Sequence, residues 1–554
     1  MSYGNVCRKE LILPMRRYLL RSSLLLSLLV LLMLPAVMQA QFNYTTNYSF
    51  TTNSGTVTTN AAITITKYTG PGGAVVIPAT TNGYPVTAIG TNAFQRVSNP
   101  MTVTIPNSVT SIGASAFSLS ALTGITIPDS VTNLGNAAFS GCGLMTNATL
   151  STNLTTVGAS MFSSCANLTS LTIPSGITSI ESNAFYSCSG LKAFTIPNNV
   201  TNIGDYAFYS CSGLTNITIG NNVASIGSFV FGVCSKLISA TIPGNVTSIG
   251  SNTFYSCFSL TSVAIPHSVT SIGSMMFYNC AKLTNAPIPN SVTSIGRWAF
   301  YGCSSLTNVA IPSGVTNIGI GPFLNCTSLM AINVDTSNAA YSSLDGVLFN
   351  QDRTTIIEFP VNRIGSYAIP NGVNNIGGDA FFGCSKLTSI TIPNGVTNIE
   401  TAAFRYCSGL SSLTFPSSLA SIADDVFSYC YGLGAIYFLG NMPTIGAGSF
   451  WYATTIAYYL PGTTGWGPTF GGQLAVLWLP QVQTGDASFG VRTNQFGFNI
   501  NWASGMVIVV EASTNLSNPM WQPVQTNTLT GGSAYFSDPQ WMNYPGRFYR
   551  IRSP

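Results

Sequence analysis

Apolar residues recur along most of this chain in a fixed register. Residues 168–190 read LTSLTIPSGITSIESNAFYSCSG, and the next segment, from residue 191, reads LKAFTIPNNVTNIGDYAFYSCSG. A phenylalanine column runs from Phe94 to Phe450 in steps of 22 or 23 residues. It breaks once, where Phe323 is followed by Phe381, a gap of one 23-residue step plus one of 35. One repeat therefore carries about 12 extra residues. A period in this range marks a repeat architecture, in which no single unit can bury its own apolar face and stacked neighbours share a core.

The unit is L-x-x-I-x-I-P-x-x-V-x-x-I-G-x-x-A-F-x-x-C. Its first part alternates as a strand does, which predicts Ile217 and Ile219 inward and Thr218 outward. Proline at 174, 197, 243, 266, 289 and 312 ends that strand, because it cannot donate to a ladder. A second apolar pair follows, such as Val246 and Ile249. The A-F-x-x-C segment reads as a short turn or 3₁₀ piece with Phe and Cys inward. Coils spaced as paired strands add roughly 4.8 Å each, so fifteen make a rod of roughly 70 Å. Glycine follows the Ile column in most repeats, but Glu181, Glu400 and Ala423 also occur there, so a positive φ is not demanded in every coil.

These units, repeated from about Val86 to Phe450, resemble the BspA-type leucine-rich repeat family of bacterial surface proteins. The inserted stretch, from Val334-Asp335 through Val347-Leu348-Phe349 to Tyr367-Ala368-Ile369-Pro370, looks like that family's hairpin-bearing repeat. The fold expected is an all-β-rich solenoid, a leucine-rich-repeat right-handed coil of about 15 repeats with short 3₁₀ or helical turns, plus a small C-terminal β-sandwich. The layout expected is a signal peptide at 1–40, an N-terminal β cap at 41–85 and the solenoid at 86–435, with the inserted hairpin at about 332–370. A C-terminal cap at 436–480 and the sandwich at 481–554 follow. The resemblance implies an extracellular or cell-surface protein that binds host or environmental macromolecules, and it names no ligand.

Composition narrows the function. Only 6% of residues are charged while 46% are hydrophobic, which argues against disorder. The net charge of +4 arises wholly in residues 1–40, where Arg8, Lys9, Arg16, Arg17 and Arg21 face Glu10; the remainder holds 14 basic and 14 acidic residues. No basic patch stands out for neutralising phosphates, so nucleic acid is not an expected partner. The basic cluster followed by the apolar run Leu24 to Leu34, Pro35 and Ala40 reads as a secretory signal cleaved before Gln41, with Met1 or Met15 as its start. The apolar run is short for a membrane span, and no transmembrane segment is expected in the mature chain.

Candidate chemistry is sparse. Twelve cysteines, Cys142 to Cys430, each lie three residues after a Phe, and that regularity predicts a buried ladder of free thiols rather than disulfides or a metal site. His267 is the single histidine and aligns with turn positions after the proline, with no nucleophile or orienting acid in register. Asp335, Asp345 and Asp352 share the inserted repeat, at a spacing that fits a solvated hairpin better than a calcium loop. No catalytic residue, metal or cofactor is expected.

Two columns offer contact surfaces. One is the outer side of the leading strand, Ser170/Thr172 to Ser262/Ala264, flat and small. The other follows the core Phe: Tyr186, Tyr209, Tyr255, Tyr278 and Tyr301, with Gly232 as a gap. Aromatics in a row can anchor a protein or a glycan, though each can equally pack on its neighbour along the array. The reading is a secreted or cell-surface recognition or adhesion protein whose partner is an extracellular protein or glycan. A structural envelope or matrix spacer is the alternative, and a polysaccharide-active enzyme comes third.

Overall fold

The computed structural model describes residues 41–53, 56–285 and 288–553, in two compact units divided in sequence after Thr327. The expected signal segment, 1–40, lies outside the described residues.

In the first unit each coil contributes two short strands to two parallel sheets. Leading strands Ala193–Thr195, Asn216–Thr218, Ser239–Thr241 and Ser262–Ala264 pair residue for residue at a step of 23. The second strands, such as Asn202–Ile203 and Ser225–Ile226, pair in the same way. Because the pairing step equals the sequence period, every repeat position becomes a column. Ile217 and Ile219 are buried while Asn216 and Thr218 are exposed, as a period of two requires. The core is a stack of Phe rings; Phe162 and Phe185 lie 5.6 Å apart and 3° from parallel. At the start, the hairpin Phe42–Asn53 with Thr56–Tyr68 lies alongside Tyr84–Ile89, and Tyr68 stacks on Phe94 at 5.0 Å.

The segment carrying Phe forms turns rather than a 3₁₀ helix. Two left-handed residues bracket each Phe; around Phe185 they are Asn183 at φ 58° and Ser187 at φ 57°. The N–H groups of Asn183, Phe185 and Ser187 donate to carbonyls of the next coil, on Asp205, Ala207 and Tyr209. Those of Ala184, Tyr186 and Cys188 donate three residues back within the coil. A helix would direct every N–H along its own axis, whereas this alternation bonds each coil to the next. Left-handed residues cost roughly 1–2 kcal/mol each, and the inter-coil bonds offset that cost.

The glycines after the Ile column have another cause. Gly204 and Gly250 are absent from the positive-φ residues, but a Cβ would stand 2.6 Å from Ser182 N and 2.4 Å from Ser228 N respectively. Neighbouring coils approach too closely there for a side chain. The approach differs from coil to coil, with the nearest atom 3.1 Å from a Cβ at Gly273, and Glu181, Glu400 and Ala423 occupy the column without a positive φ.

In the second unit, the inserted residues form an antiparallel hairpin, Tyr341–Leu344 with Val347–Asn350, continued by Thr355–Glu358. Thr355–Glu358 then pairs in parallel with Asn375–Ile376. Phe359 takes the ladder place within the 58-residue gap, 5.1 Å from Phe381. Tyr68 thus extends the eleven ladder Phe of the first unit and Phe359 the four of the second, which makes about 17 turns in all. Its leading-strand sheet continues through Ala435–Phe438 and Ile456–Tyr459 to Gln473–Leu477. Residues 481–553 form two antiparallel sheets around Phe498, Ile500, Trp502, Ile508, Val510 and Phe536. Buried Glu511 is held there by Arg550 at 2.7 Å and Arg552 at 2.8 Å.

Candidate recognition surface

The five column tyrosines are half-buried and stack on one another. Tyr186 and Tyr209 lie 5.3 Å apart and 16° from parallel. Tyr255 and Tyr278 lie 5.0 Å apart, and Tyr278 and Tyr301 4.6 Å apart, within 10° and 5° of parallel. The gap at Gly232 has a physical cause: a Cβ there would stand 2.8 Å from Cδ2 of Tyr209, whose ring fills the space. Phe229 bridges the interruption, 6.1 Å from Tyr209 and 6.0 Å from Tyr255. Partial burial and the neighbouring phenols push the Tyr209 and Tyr278 hydroxyls above their ordinary value.

Residues two before the core Phe extend this strip. Tyr206 stacks on Phe229 at 4.9 Å, and Trp298 lies 6.2 Å from Tyr301 with Arg297 3.9 Å over its ring. Sequence reasoning missed this column because its members, Tyr206, Phe229 and Trp298, share no residue type. Their common offset from Phe was the available signal.

The twelve cysteines of the array are buried thiols outside any disulfide. Eleven of them donate S–H to the carbonyl of the preceding coil's Phe at 3.0–3.2 Å. Cys384 reaches the Phe359 carbonyl only at 4.0 Å. Burial pushes eleven of these thiols up, Cys142 to about 11 and Cys211 to about 12, which makes those eleven poor nucleophiles.

The remaining candidates do not converge. His267 is an exposed turn residue after Pro266. Asp335 accepts from Ser337 N and Oγ at 2.9 and 2.6 Å, bonds that hold its carboxyl below the ordinary range. Among the described residues no three His, Cys, Asp or Glu gather in a group able to hold a metal. Asp205 and Asp424 accept the N–H of Ser228 and Ala447, each at 2.7 Å, on the following coil. The outer strand face is exposed in the coils from Ser170–Thr172 to Ser262–Ala264. Nearer the start of the unit it dips where Gly124 replaces a side chain among Thr102, Thr104, Thr126 and Asn147.

A parallel β-solenoid with one core Phe and one inward cysteine in most coils defines a leucine-rich-repeat protein. The chain belongs to the BspA type leucine rich repeat family, whose repeat region matches in six copies over residues 76–192, 156–281, 247–369 and 358–461. Among solved structures, a leucine-rich repeat protein from Bacteroides ovatus is 26% identical, with a TM-score of 0.47, covering 75% of this chain and 93% of that one. A leucine rich cell surface protein from Faecalibacterium prausnitzii is also 26% identical, with a TM-score of 0.36, covering 74% and 93%. No curated protein matches the chain. Among the described residues no helix is long and apolar enough to cross a membrane.

Proposed function

We propose that this is an exported, non-catalytic protein that recognises an extracellular protein or glycan at the bacterial cell surface, as an adhesin would. The observation that carries the reading is the aromatic strip of the first unit, where Phe229 joins Tyr186 and Tyr209 to Tyr255, Tyr278 and Tyr301. A rigid row of rings loses little side-chain freedom on binding, and aromatic residues are the commonest anchors of recognition surfaces. The Arg-rich, Leu-rich, Ala-ended start supports export, and the family supports a surface location. In this reading residues 1–40 are removed, 41–85 and 436–480 close the ends of the array, and 481–554 form a separate module.

Stacking also favours a second reading, a structural spacer, since rings that face one another stiffen the array. An array of matrix proteins and glycans probed with residues 41–554 separates the two. Selective binding that Tyr255→Ser/Tyr278→Ser weakens supports recognition, and uniform absence of binding supports the spacer.

A further inference from the structure

We propose that the second unit carries its own binding site, an aromatic platform for a neutral oligosaccharide, built from Trp451, Tyr452, Tyr431, Tyr429 and Tyr406. This site is independent of the tyrosines of the first unit. Tyr431, Trp451 and Tyr452 are 67%, 61% and 70% exposed, although burial of such large rings is what normally stabilises a fold. Tyr406, Tyr429 and Tyr452 form a stack, with spacings of 4.6 and 4.8 Å and planes within 19° of parallel. Tyr431 stands nearly perpendicular to Tyr429 at 6.2 Å.

The backbone beneath these rings is the left-handed turn that follows the core Phe in every regular coil. Tyr406, Tyr429 and Tyr452 sit two after the core Phe, at φ 63°, 61° and 55°. In the first unit that left-handed position holds Ser187, Ser210, Ser256 and Asn279, and also Arg96, Leu119 and Val233, but no aromatic residue. Asn is at home there, and a bulky aromatic is an outlier. Three successive coils place a tyrosine in it, so the three rings form one stack whose outermost member, Tyr452, stays 70% exposed.

Trp451 lies on Gly448. A Cβ on that glycine would stand 3.3 Å from both Cδ2 and Cε2 of the indole. Those atoms form the fusion bond in the middle of the bicycle, so the approach is face-on. Gly448 at φ 66° also leaves room for Asp425, whose Oδ1 would be 2.7 Å from a Cβ. One face of the indole is thus supported by backbone while 61% of the residue stays open.

Flatness and charge identify the ligand class. A protein anchor projects into a pocket of its partner, whereas this indole lies flat against its own chain. An open, supported ring face matches the apolar C–H face of a pyranose, whose rim hydroxyls can bond the phenols beside it. Arg405 lies over Tyr406 and Tyr429 at 5.3 and 5.4 Å and pairs with Asp425 at 3.9 Å. The charges within the stack therefore compensate each other, and the complementary ligand is uncharged.

The test is calorimetric titration of residues 41–554 with neutral cello-, xylo-, manno- and malto-oligosaccharides. At least one should saturate. Trp451→Ala and Tyr452→Ala should each weaken it by roughly tenfold or more, while the fold stays intact; Tyr452→Ala also loses one ring stack, so its melting temperature should fall slightly. Tyr255→Ser/Tyr278→Ser should leave this affinity unaltered, which separates the platform from the strip of the first unit. Three outcomes would overturn the proposal: no saturable binding of any of these sugars, saturable binding that both platform variants retain, or a polypeptide ligand lost in Trp451→Ala while no sugar binds.

Discussion

The thiol of Cys211 donates to the carbonyl oxygen of Phe185, one coil earlier, at 3.1 Å. That carbonyl also accepts the N–H of Cys188 at 3.2 Å, so both its lone pairs are used. Repeated along the array, this bond couples each coil to its predecessor. At the ends the cysteine place holds Val97, Ser120 and Ala453. Smallness is therefore the first requirement of the position, and the S–H bond is the second.

Truncation in mid-ladder should thus be mild. Cys234→Ala should cost about 1–2 kcal/mol, from one weak hydrogen bond and a small void. Cys234→Asp buries an unpaired carboxylate and should cost more than about 3 kcal/mol. Denaturant titration of the two variants checks the difference, and equal losses would contradict the buried ladder.

The ladder also fixes an alkaline limit. Folding raises these thiols from 9.0, to about 11 for Cys142 and about 12 for Cys211 and Cys303. A raised thiol value favours the neutral folded form, so its stabilisation is complete below pH 9 and is lost as pH climbs from 9 towards the folded value. Each thiol can contribute a loss of up to about 1.4 kcal/mol per pH unit in that window. Stability followed from pH 8 to 11 should fall steeply, and replacing Cys188, Cys211 and Cys234 by Ala should flatten the slope. Below pH 9, alkylation should find the thiols unpaired once the protein is denatured, and shielded before.

Close approach rather than φ governs the glycine column. Gly→Ala at an ordinary φ usually stabilises a protein slightly. Gly250→Ala should instead destabilise by about 1–3 kcal/mol, because its Cβ meets Ser228 N at 2.4 Å. A thermal melt at or above that of the parent protein would refute this cause.

For the strip of the first unit, Tyr255→Ser/Tyr278→Ser should weaken a demonstrated ligand by roughly tenfold, about 1.4 kcal/mol. Two ring stacks are lost as well, at about 0.5–1.5 kcal/mol each, so stability is measured alongside. Unchanged affinity in a folded variant would leave the outer strand face as the better candidate.

Export makes a prediction about the chain itself. Expressed in a bacterium from its first residue, the protein should be recovered outside the cytoplasm with an N-terminus at or near Gln41. Recovery of an intact cytoplasmic Met1 or Met15 form would remove secretion from the proposal.

The sequence by itself determined the coil. Its period, the alternation around Ile217 and the Phe–Cys spacing give a solenoid with inward Phe and Cys, because pairing at a step equal to the period turns each position into a column. The tyrosines at 186, 209, 255, 278 and 301 were legible for the same reason. What only the tertiary structure decided lies between coils. Phe359 completes the ladder without the Ala-Phe signature, since ring stacking selects an aromatic side chain and not its flanks. Phe229 closes the gap at Gly232 because the Tyr209 ring leans across it. Tyr406, Tyr429 and Tyr452 of the second unit stand two residues after Phe rather than one, a shift of one letter in sequence. In space, that position is left-handed, and its rings run from half-buried at Tyr429 to 70% exposed at Tyr452. Sequence fixes which residues share a column, whereas exposure depends on the backbone conformation and on the coil packed alongside.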